Sequence, residues 1–508
     1  MPVERRVVQQ AYKYALDPTP RQERAFLSHA GGARFAYNWG IARTADALDA
    51  YAAEKAAGVG EPATRIPGHF DLCKAWTVWK DTTEWTDRAT GTTTVGVAWV
   101  ADNYSGTYQA ALRDAAEAWK RFFKARKSGA RRVGRPRFKR KGRVRDSFQL
   151  HGGGLQIVDG KHIRLPRIGT VKTFESTRKI GRLLRKDEVP CPACDAMGRV
   201  PAAAAGESDK CSACKATGAV PAARIVRGSV SRDSSGRWFV SLTVARVREI
   251  RTAPSVRQRS GGPLGIDFGV RDIATLSTGT TIPNPRSLEA HLKRLKGAQQ
   301  ALARSRKGSA RRDGITRRIG RLHARVRNLR ADFIAKATTR LIHAHSVIAV
   351  EGWDVQQTAQ HGSPQLPAKV RSTRNRALAD TGVGAARWQL QCKAAWYGGT
   401  VVTTDRHAPT GRQCSACGTV KTTPLRPTQD EYRCAACGIR LDRRLNTARV
   451  LATIAAQHAT GAPSGGEPQN DRRGNVGPLT LRRGGRSPMK REARTQPPGR
   501  GQSGTPGT

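Results

Sequence analysis

Eight of the ten cysteines in this 508-residue chain fall into four Cys-x-x-Cys pairs. The pairs form two sets of one design: Cys191/Cys194 with Cys211/Cys214, and Cys414/Cys417 with Cys434/Cys437, sixteen residues separating the halves of each set. No other feature restricts the fold as much. Paired thiolates at ribbon spacing close on one tetrahedral Zn²⁺, which folds a stretch too short to build its own core. Four thiolates leave no position for water or substrate, so both sites are expected to be structural. The disulfide reading would need an oxidising compartment, yet Met1-Pro-Val-Glu-Arg-Arg6 leads into alternating Tyr and Lys rather than an apolar signal region. A cytoplasmic location follows, and Cys73 and Cys392, in apolar helical contexts, are expected to be core thiols.

Charge identifies the partner. Ninety Lys and Arg against 39 Asp and Glu leave a net charge of +51, which repels itself unless a polyanion neutralises it. Nucleic acid is the default. A hydrophobic content of 38% is too high for a wholly disordered chain, and the length predicts three or four domains. No uninterrupted apolar run of ~18 residues offers a membrane span.

Along the chain, the first 16 residues alternate as a strand. Thr19-Pro20-Arg21-Gln22 opens a helix, which Gly31-Gly32 is expected to break before a second helix from Ala33. Residues 55–100 carry no clear pattern. Tyr108, Leu112, Ala115, Trp119 and Phe122 recur on one helical face. Strand-like runs over 147–250 predict a small β-barrel or sandwich interrupted by the first cysteine set. Leu264–Val270 and Ile273–Leu276 read as paired strands. A helical hairpin follows, its first arm lined by Leu288, Leu292, Leu295 and Leu302. Its second arm is lined by Ile315, Ile319, Leu322, Val326, Leu329, Phe333 and Leu341. Val347–Val350 is a fully apolar strand; a helix over 384–397, a strand over Thr400–Thr404 and a helix over 446–458 complete the pattern. Beyond Thr460 the composition predicts a disordered basic tail.

Three acids stand where an acid is a liability. Asp267 interrupts Leu264-Gly-Ile-Asp-Phe-Gly-Val270, Glu351 ends Val347-Ile-Ala-Val-Glu351, and Asp442 follows the last cysteine knuckle. A carboxylate in a sheet costs several kcal/mol unless it is paired or binds metal. In so basic a chain an arginine partner is the plain alternative for any one of them. Together they suit Mg²⁺ or Mn²⁺, and two such ions ~4 Å apart hydrolyse phosphodiesters.

Several segments carry a resemblance: Gly265-Ile-Asp267-Phe-Gly269, Val350-Glu351-Gly-Trp353, the 414–437 ribbon and Asp442-Arg-Arg-Leu-Asn446. With Arg34-Phe-Ala-Tyr-Asn-Trp39, Gly134-Arg-Pro-Arg-Phe-Lys-Arg140 and Leu165-Pro-Arg-Ile-Gly169, they resemble, in order and spacing, TnpB proteins and miniature type V CRISPR effectors. The likeness spans most of residues 7–455. It implies an α+β, multidomain, bilobed fold: a first wedge strand at 1–18, a helical recognition lobe at 19–130, and a wedge β-barrel at 131–255 carrying a zinc insertion at 188–220. An RNase H-like (RuvC) nuclease domain at 260–409, with the hairpin at 287–345, would follow. A zinc ribbon that binds target nucleic acid at 410–440, the end of RuvC at 441–459 and the tail at 460–508 complete the layout. The resemblance assigns Asp267, Glu351 and Asp442 as metal-binding catalytic acids of an RNA-guided DNA endonuclease. It implies a guide RNA and double-stranded target DNA as partners, in a prokaryotic cell, for a monomer holding one RNA. Two departures stand out: Arg444 replaces the second acid of the third motif and Thr447 replaces an alanine. Guided DNA binding without cutting, a transposon-encoded nuclease, and an unguided resolvase remain the competing readings.

Two basic stretches are candidate phosphate contacts. Residues 127–145 hold ten Lys/Arg and no acid, with Arg135, Arg137, Lys139 and Arg140 along an extended segment. Residues 304–330 hold eleven Lys/Arg and one acid, with Arg317, Arg321 and Arg325 on the face opposite the apolar stripe. Tryptophans 76, 79, 85, 99 and 353 are left unassigned between base stacking and core, whereas the spacing of Trp119 says core. The first cysteine set resembles a chaperone-type Cys-x-x-Cys-x-Gly-x-Gly repeat with Ala196 and Ala216 in place of the first glycines. A staple closing the insertion is favoured there over an added nucleic-acid contact.

Overall fold

Thr19 caps the first helix as its sequence predicts, its side chain accepting from Gln22 N while the Gln22 side chain returns to the Thr19 backbone. The computed structural model describes residues 3–58, 60–61, 63–86, 91–128, 133–185, 188–201, 208–352, 367–405, 407–423, 425 and 429–461. Trp353 and all but the first two residues of the basic tail lie outside them. Strand β1 (Val3–Asp17) precedes α1 (Pro20–Ala56), α2 (His69–Thr82), the ribbon β2 (Glu84–Thr86) and β3 (Thr93–Val95), and α3 (Ser105–Lys127). Next come β4 (Ser147–His151), β5 (Gln156–Ile157), β6 (His162–Leu165), β7 (Gly169–Thr173) and α4 (Arg178–Leu184). The cysteine insertion contributes β8 (Glu188–Pro190), β9 (Arg199–Pro201), β10 (Ser208–Lys210) and β11 (Ala219–Pro221), before the long hairpin β12 (Ala223–Arg232) and β13 (Trp238–Arg251).

Seven of these strands form one sheet in the order β4-β12-β13-β1-β7-β6-β5, with β1 antiparallel to β13 from Val3↔Arg251 to Leu16↔Trp238. No closed barrel is found: among the described residues no ladder joins the edges β4 and β5. Those edges are nevertheless consecutive in the chain. The five peptide steps from His151 to Gln156 reach at most ~18 Å, whereas a flat seven-stranded sheet would hold its edges ~29 Å apart. The sheet therefore curls strongly and stops short of closing.

Contrary to the expected break, α1 runs through Gly31-Gly32 as one 37-residue helix. The glycine serves packing, since a Cβ on Gly32 would stand 2.9 Å from Tyr108 Cε1 of α3. The unread stretch 55–100 supplies α2 and an aromatic cluster. Trp76 and Trp79 have ring centroids 4.8 Å apart, and Phe35 lies 5.5 Å from Trp79, 6.1 Å from Trp85 and 5.2 Å from Trp99. These four tryptophans pack on each other, as core groups do. Trp119 is buried, as its spacing predicts.

The second half contains α5 (Val256–Ser260), β14 (Leu264–Phe268), β15 (Asp272–Leu276), β16 (Thr281–Pro283), the hairpin α6 (Glu289–Arg304) and α7 (Ala310–Ala344), and β17 (Val347–Val350). It continues through α8 (Ala368–Thr381), α9 (Val383–Tyr397), β18 (Thr400–Thr403), the ribbon strands β19 (Glu431–Arg433) and β20 (Arg440–Asp442), and α10 (Arg443–Ala459). Its sheet has the order β16-β15-β14-β17-β18, with β14, β17 and β18 parallel and β15 antiparallel to both β14 and β16. Side-chain alternation divides it into two faces. Leu264, Ile266, Ile348, Val350 and Val401 pack against Ile334, Leu341, Val383 and Leu390 of α7 and α9. Val347, Ala349 and Val402 pack against Leu451 and Ala455 of α10. Of the expected stripe on α7, Val326 and Leu341 are buried but Leu329 is 45% exposed. The two halves meet where α7 crosses the β12–β13 turn: a Cβ on Gly320 would stand 2.0 Å from Ser234 O, and Arg327 pairs with Asp233 at 3.8 Å. Among the described residues no helix is long and apolar enough to cross a membrane.

Candidate active site

Parallel pairing of β14 with β17 runs Leu264↔Ile348, Gly265↔Ala349, Ile266↔Val350. One further step along the same register sets Asp267 beside Glu351. The period of two decides which way they point: Asp267 shares a face with Gly265, and Glu351 shares one with Val347 and Ala349, the face that α10 covers. On that face α10 approaches closely, for a Cβ on Gly265 would stand 1.8 Å from Ala448 O. The start of the same helix brings in the third acid. Asp442 is its N-cap, Oδ1 accepting from Arg444 N at 2.8 Å and Leu445 N at 3.1 Å.

Two acids on adjacent strands cannot ionise independently. Burial, then the charge of Glu351, pushes the Asp267 carboxyl well above the usual carboxylate range; Asp442 adds to the rise, and Arg444 and Arg443 oppose it. Burial also raises Glu351, against a hydrogen bond donated by the Thr410 hydroxyl and the charges of Arg443 and Arg387. A buried pair that repels itself is a donor set for a hard divalent cation. The carboxylates do not close on one point, however. Among the described residues, only the two cysteine quartets bring three or more metal-binding atoms within 4.8 Å of one another.

Both quartets fit zinc. Tetrahedral Zn–S bonds of ~2.3 Å place sulfurs ~3.8 Å apart. The Sγ–Sγ distances are 3.9 Å for Cys191–Cys211, 3.7 Å for Cys194–Cys214, and 3.6 Å for both Cys414–Cys437 and Cys417–Cys434. In the second quartet the ribbon is clamped to α10 by a residue that spacing alone did not reveal. Asn446 is fully buried, its Oδ1 accepting from Ser415 N at 2.9 Å and its Nδ2 donating to Gln413 O at 2.7 Å. Arg444 braces the same corner, reaching Asp272 of β15 and Asp430 of the ribbon at 3.8 Å each. Thr410 escaped the sequence reading, and the contacts made by Asn446 and Arg444, both noted there only as part of a motif, could not be read from it, because each acts through a partner remote in the chain.

Comparison with known proteins assigns the family. Residues 246–361 match the OrfB_IS605 family model, described as "Probable transposase"; residues 384–451 match "Cas12f1-like, TNB domain", and residues 6–53 match "Helix-turn-helix domain". A Mycobacterium tuberculosis (strain H37Rv) protein named "Putative RNA-guided DNA endonuclease Rv2885c" is 30% identical over 493 residues, 95% of this chain and 94% of its own. The chain belongs to the OrfB/TnpB family. A second relative, "Putative RNA-guided DNA endonuclease InsQ" of Escherichia coli K12, is 27% identical over 457 residues, 89% of this chain and 92% of its own. The solved "Cas12f1-sgRNA-target DNA complex" overlaps 88% of this chain and 99% of its own at 11% identity and a TM-score of 0.41, too loose to speak for the fold. In this OrfB/TnpB member the stretch matched as helix-turn-helix is strand β1 followed by the unbroken α1.

The family chain carries its expected basic residues in two settings. Arg135, Arg137 and Arg140 are exposed, with Arg135 3.6 Å from Asp49. Lys139 instead turns inward: its Nζ lies 3.6 Å over the Tyr37 ring, its backbone is clasped by Asn38 at 2.7 and 2.9 Å, and burial lowers its pKa. That position suits an anchor for the segment better than a phosphate contact. Arg317, Arg321 and Arg325 are exposed along α7, and the last two line a cleft of about 920 Å³ with Arg237 and Phe174. Cys73 and Cys392 are half-buried thiols whose pKa burial raises.

Proposed function

We propose that this chain is an RNA-guided DNA endonuclease, the activity named for its relatives, with an RNase H-like (RuvC) nuclease domain that cuts target DNA in a Mg²⁺- or Mn²⁺-dependent reaction. The observation that carries the reading is the lateral pairing of Asp267 and Glu351 on parallel strands, with α10 bringing Asp442 to the same face. The strand order, three antiparallel strands followed by two parallel to the first, supports the RNase H-like assignment. Asp267, Glu351 and Asp442 would hold the cation, which when bound supplies a Lewis acid and charge neutralisation at the scissile phosphate. Thr410 orients Glu351, and Arg443 and Arg444 at the helix start draw a phosphate toward the acids. The chain's own carboxylates must give up their protons to bind, so cation binding and ionisation are coupled.

A guide RNA and double-stranded DNA are the proposed partners of a monomer, with Arg135, Arg137, Arg140, Arg317, Arg321 and Arg325 along the backbone of the paired strands. The curled sheet would be the wedge, and α1 to α3 the recognition lobe of a bilobed molecule. Co-expression with the native locus, followed by sequencing of the RNA that co-purifies, tests the guide; a transcript from the gene's own downstream end identifies a transposon nuclease, and repeat-derived spacers a CRISPR effector. Guided plasmid cleavage in Mg²⁺ then tests the chemistry. Asp267→Ala should lose cleavage and keep guided binding. Equal cutting by both proteins refutes the site, and binding without cutting by either refutes the enzyme.

A further inference from the structure

Arg444, whose charge acts on Asp267, also lines a cavity of about 480 Å³ whose other residues have no part in the proposed reaction. Four arginines line it from four elements: Arg271 just past β14, Arg286 before α6, Arg376 on α8 and Arg444 on α10. Arg271 lies 3.9 Å from Asp430, which Arg444 shares at 3.8 Å, and two acids also line the cavity, both engaged. Asp380 accepts from Leu288 N at 2.9 Å and pairs with Arg330 at 3.6 Å, and Glu289 pairs with Arg286 at 3.6 Å. Four arginines against two acids leave the lining positive, a setting that favours an anion.

The backbone is arranged to keep one of them there. Arg286 has φ 44°, a left-handed conformation that costs a non-glycine residue about 1–2 kcal/mol. Asn284 enforces it: its Oδ1 accepts from Arg286 N at 3.0 Å, while its Nδ2 donates to Val270 O at 2.9 Å. That second bond ties the loop to the turn between β14 and β15, three residues past Asp267. Strain held by a bond to that turn points to a position under functional demand.

We propose that this cavity seats a phosphodiester of an unpaired DNA strand, next to the phosphate that is cut, with Arg286 and Arg376 as its binding residues. The inference rests on the nuclease reading above. A volume of this order admits one or two nucleotides and excludes a duplex. Planar, forked guanidinium groups from several sides suit a phosphodiester and carry no preference for base.

The test replaces single phosphates of the strand by uncharged methylphosphonates and uses the full chain with its guide RNA. In wild-type protein, one position flanking the scissile bond should lose cleavage roughly tenfold to a hundredfold when neutralised. In Arg286→Gln/Arg376→Gln the same replacement should make no further difference, and guided duplex binding should stay unchanged. A parallel arm measures the affinity of short unpaired oligonucleotides in the Asp267→Ala background, so it reads the cavity even if no cutting occurs. There too, the neutralised position should matter only while both arginines are present. Arg449→Gln, an exposed arginine further along α10, is the charge control. Additive losses, an equal loss with Arg449→Gln, or competition by inorganic phosphate or a mononucleotide as strong as by the oligonucleotide would each overturn the proposal.

Discussion

Gly265→Ala is the sharpest test of how the acids are assembled. The added Cβ would stand 1.8 Å from Ala448 O, 2.4 Å from Ala452 N and 2.9 Å from the Leu451 carbonyl carbon, all backbone atoms of α10. No rotamer relieves that clash, so the helix must retreat by ~1.5 Å to restore ordinary contact. Retreat opens the packing of Leu451 and Ala455 on Val347, Ala349 and Val402. Overpacking of this kind costs about 1–3 kcal/mol, a fall of roughly 3–10 °C in Tm for a domain of this size. The loss of rate should be larger than the loss of stability implies. Asp442 and Arg444 ride on the first turn of the helix, and a ~1 Å misplacement of reacting groups costs on the order of a hundredfold. Thermal scans and single-turnover guided cleavage measure the two effects. Gly297→Ala on α6, where a Cβ meets nothing within 4 Å, is the control and should hold or raise Tm by the helix propensity of alanine. A Gly265→Ala protein with wild-type Tm and a rate within about twofold would refute the close approach of α10 and the site built on it.

The two cysteine quartets should respond differently to metal loss. Cys414→Ser frees the ribbon that Asn446 clamps to α10 and should abolish cleavage, whereas Cys191→Ser should lower Tm and leave guided cleavage within a few-fold of wild type. Glu188 to Pro221 carries four acids and three bases in a chain of +51, so it offers phosphates little; a large loss of guided binding in Cys191→Ser would show otherwise. Ala196 and Ala216 hold φ of 67° and 72°, where the resembling repeat has glycine, so Ala196→Gly and Ala216→Gly should each stabilise the insertion by about 1 kcal/mol and slow zinc release to a chelator. Unchanged release in both variants would remove the strain argument. His29 is buried, with Nδ1 2.9 Å from Ala25 O and Nε2 accepting from Tyr104 N at 3.1 Å, and burial lowers its pKa. A depressed folded pKa means that its contribution to stability is full above about pH 6.5 and falls as the solution is acidified. His29→Gln should therefore flatten the fall of Tm between about pH 7.5 and pH 5, and an identical slope would exclude this ring as the cause.

What could be read from the sequence was whatever is decided by neighbours in the chain. Val347–Val350 is a strand with the bounds its apolar run predicts, the α6–α7 hairpin follows its helical period, and the cysteine spacing predicts two quartets whose sulfurs meet. What could not be read depends on which remote segments touch. Gly31-Gly32 has the local signature of a helix break, yet Tyr108 needs the room, and tertiary packing outweighs about 1 kcal/mol of propensity per glycine. The sheet that curls without closing is likewise invisible in alternating strands, because register and edge pairing are set by partners far along the chain.

The site divides along the same line. Its acids were recognisable because carboxylates are costly in apolar strands, but nothing local says that Asp267 and Glu351 stand side by side; parallel pairing between β14 and β17 decides that. Arg444 is the clearest case. In the sequence it is a departure from an acidic motif, one that weakens the expectation of metal binding there. In the fold it bridges α10 to Asp272 and Asp430, lowers the pKa of Asp267 and lines the arginine-rich cavity. A second carboxylate at that position would add to the rise that burial and the charge of Glu351 impose on Asp267; an arginine opposes it and joins the strand, the ribbon and the helix two residues past Asp442.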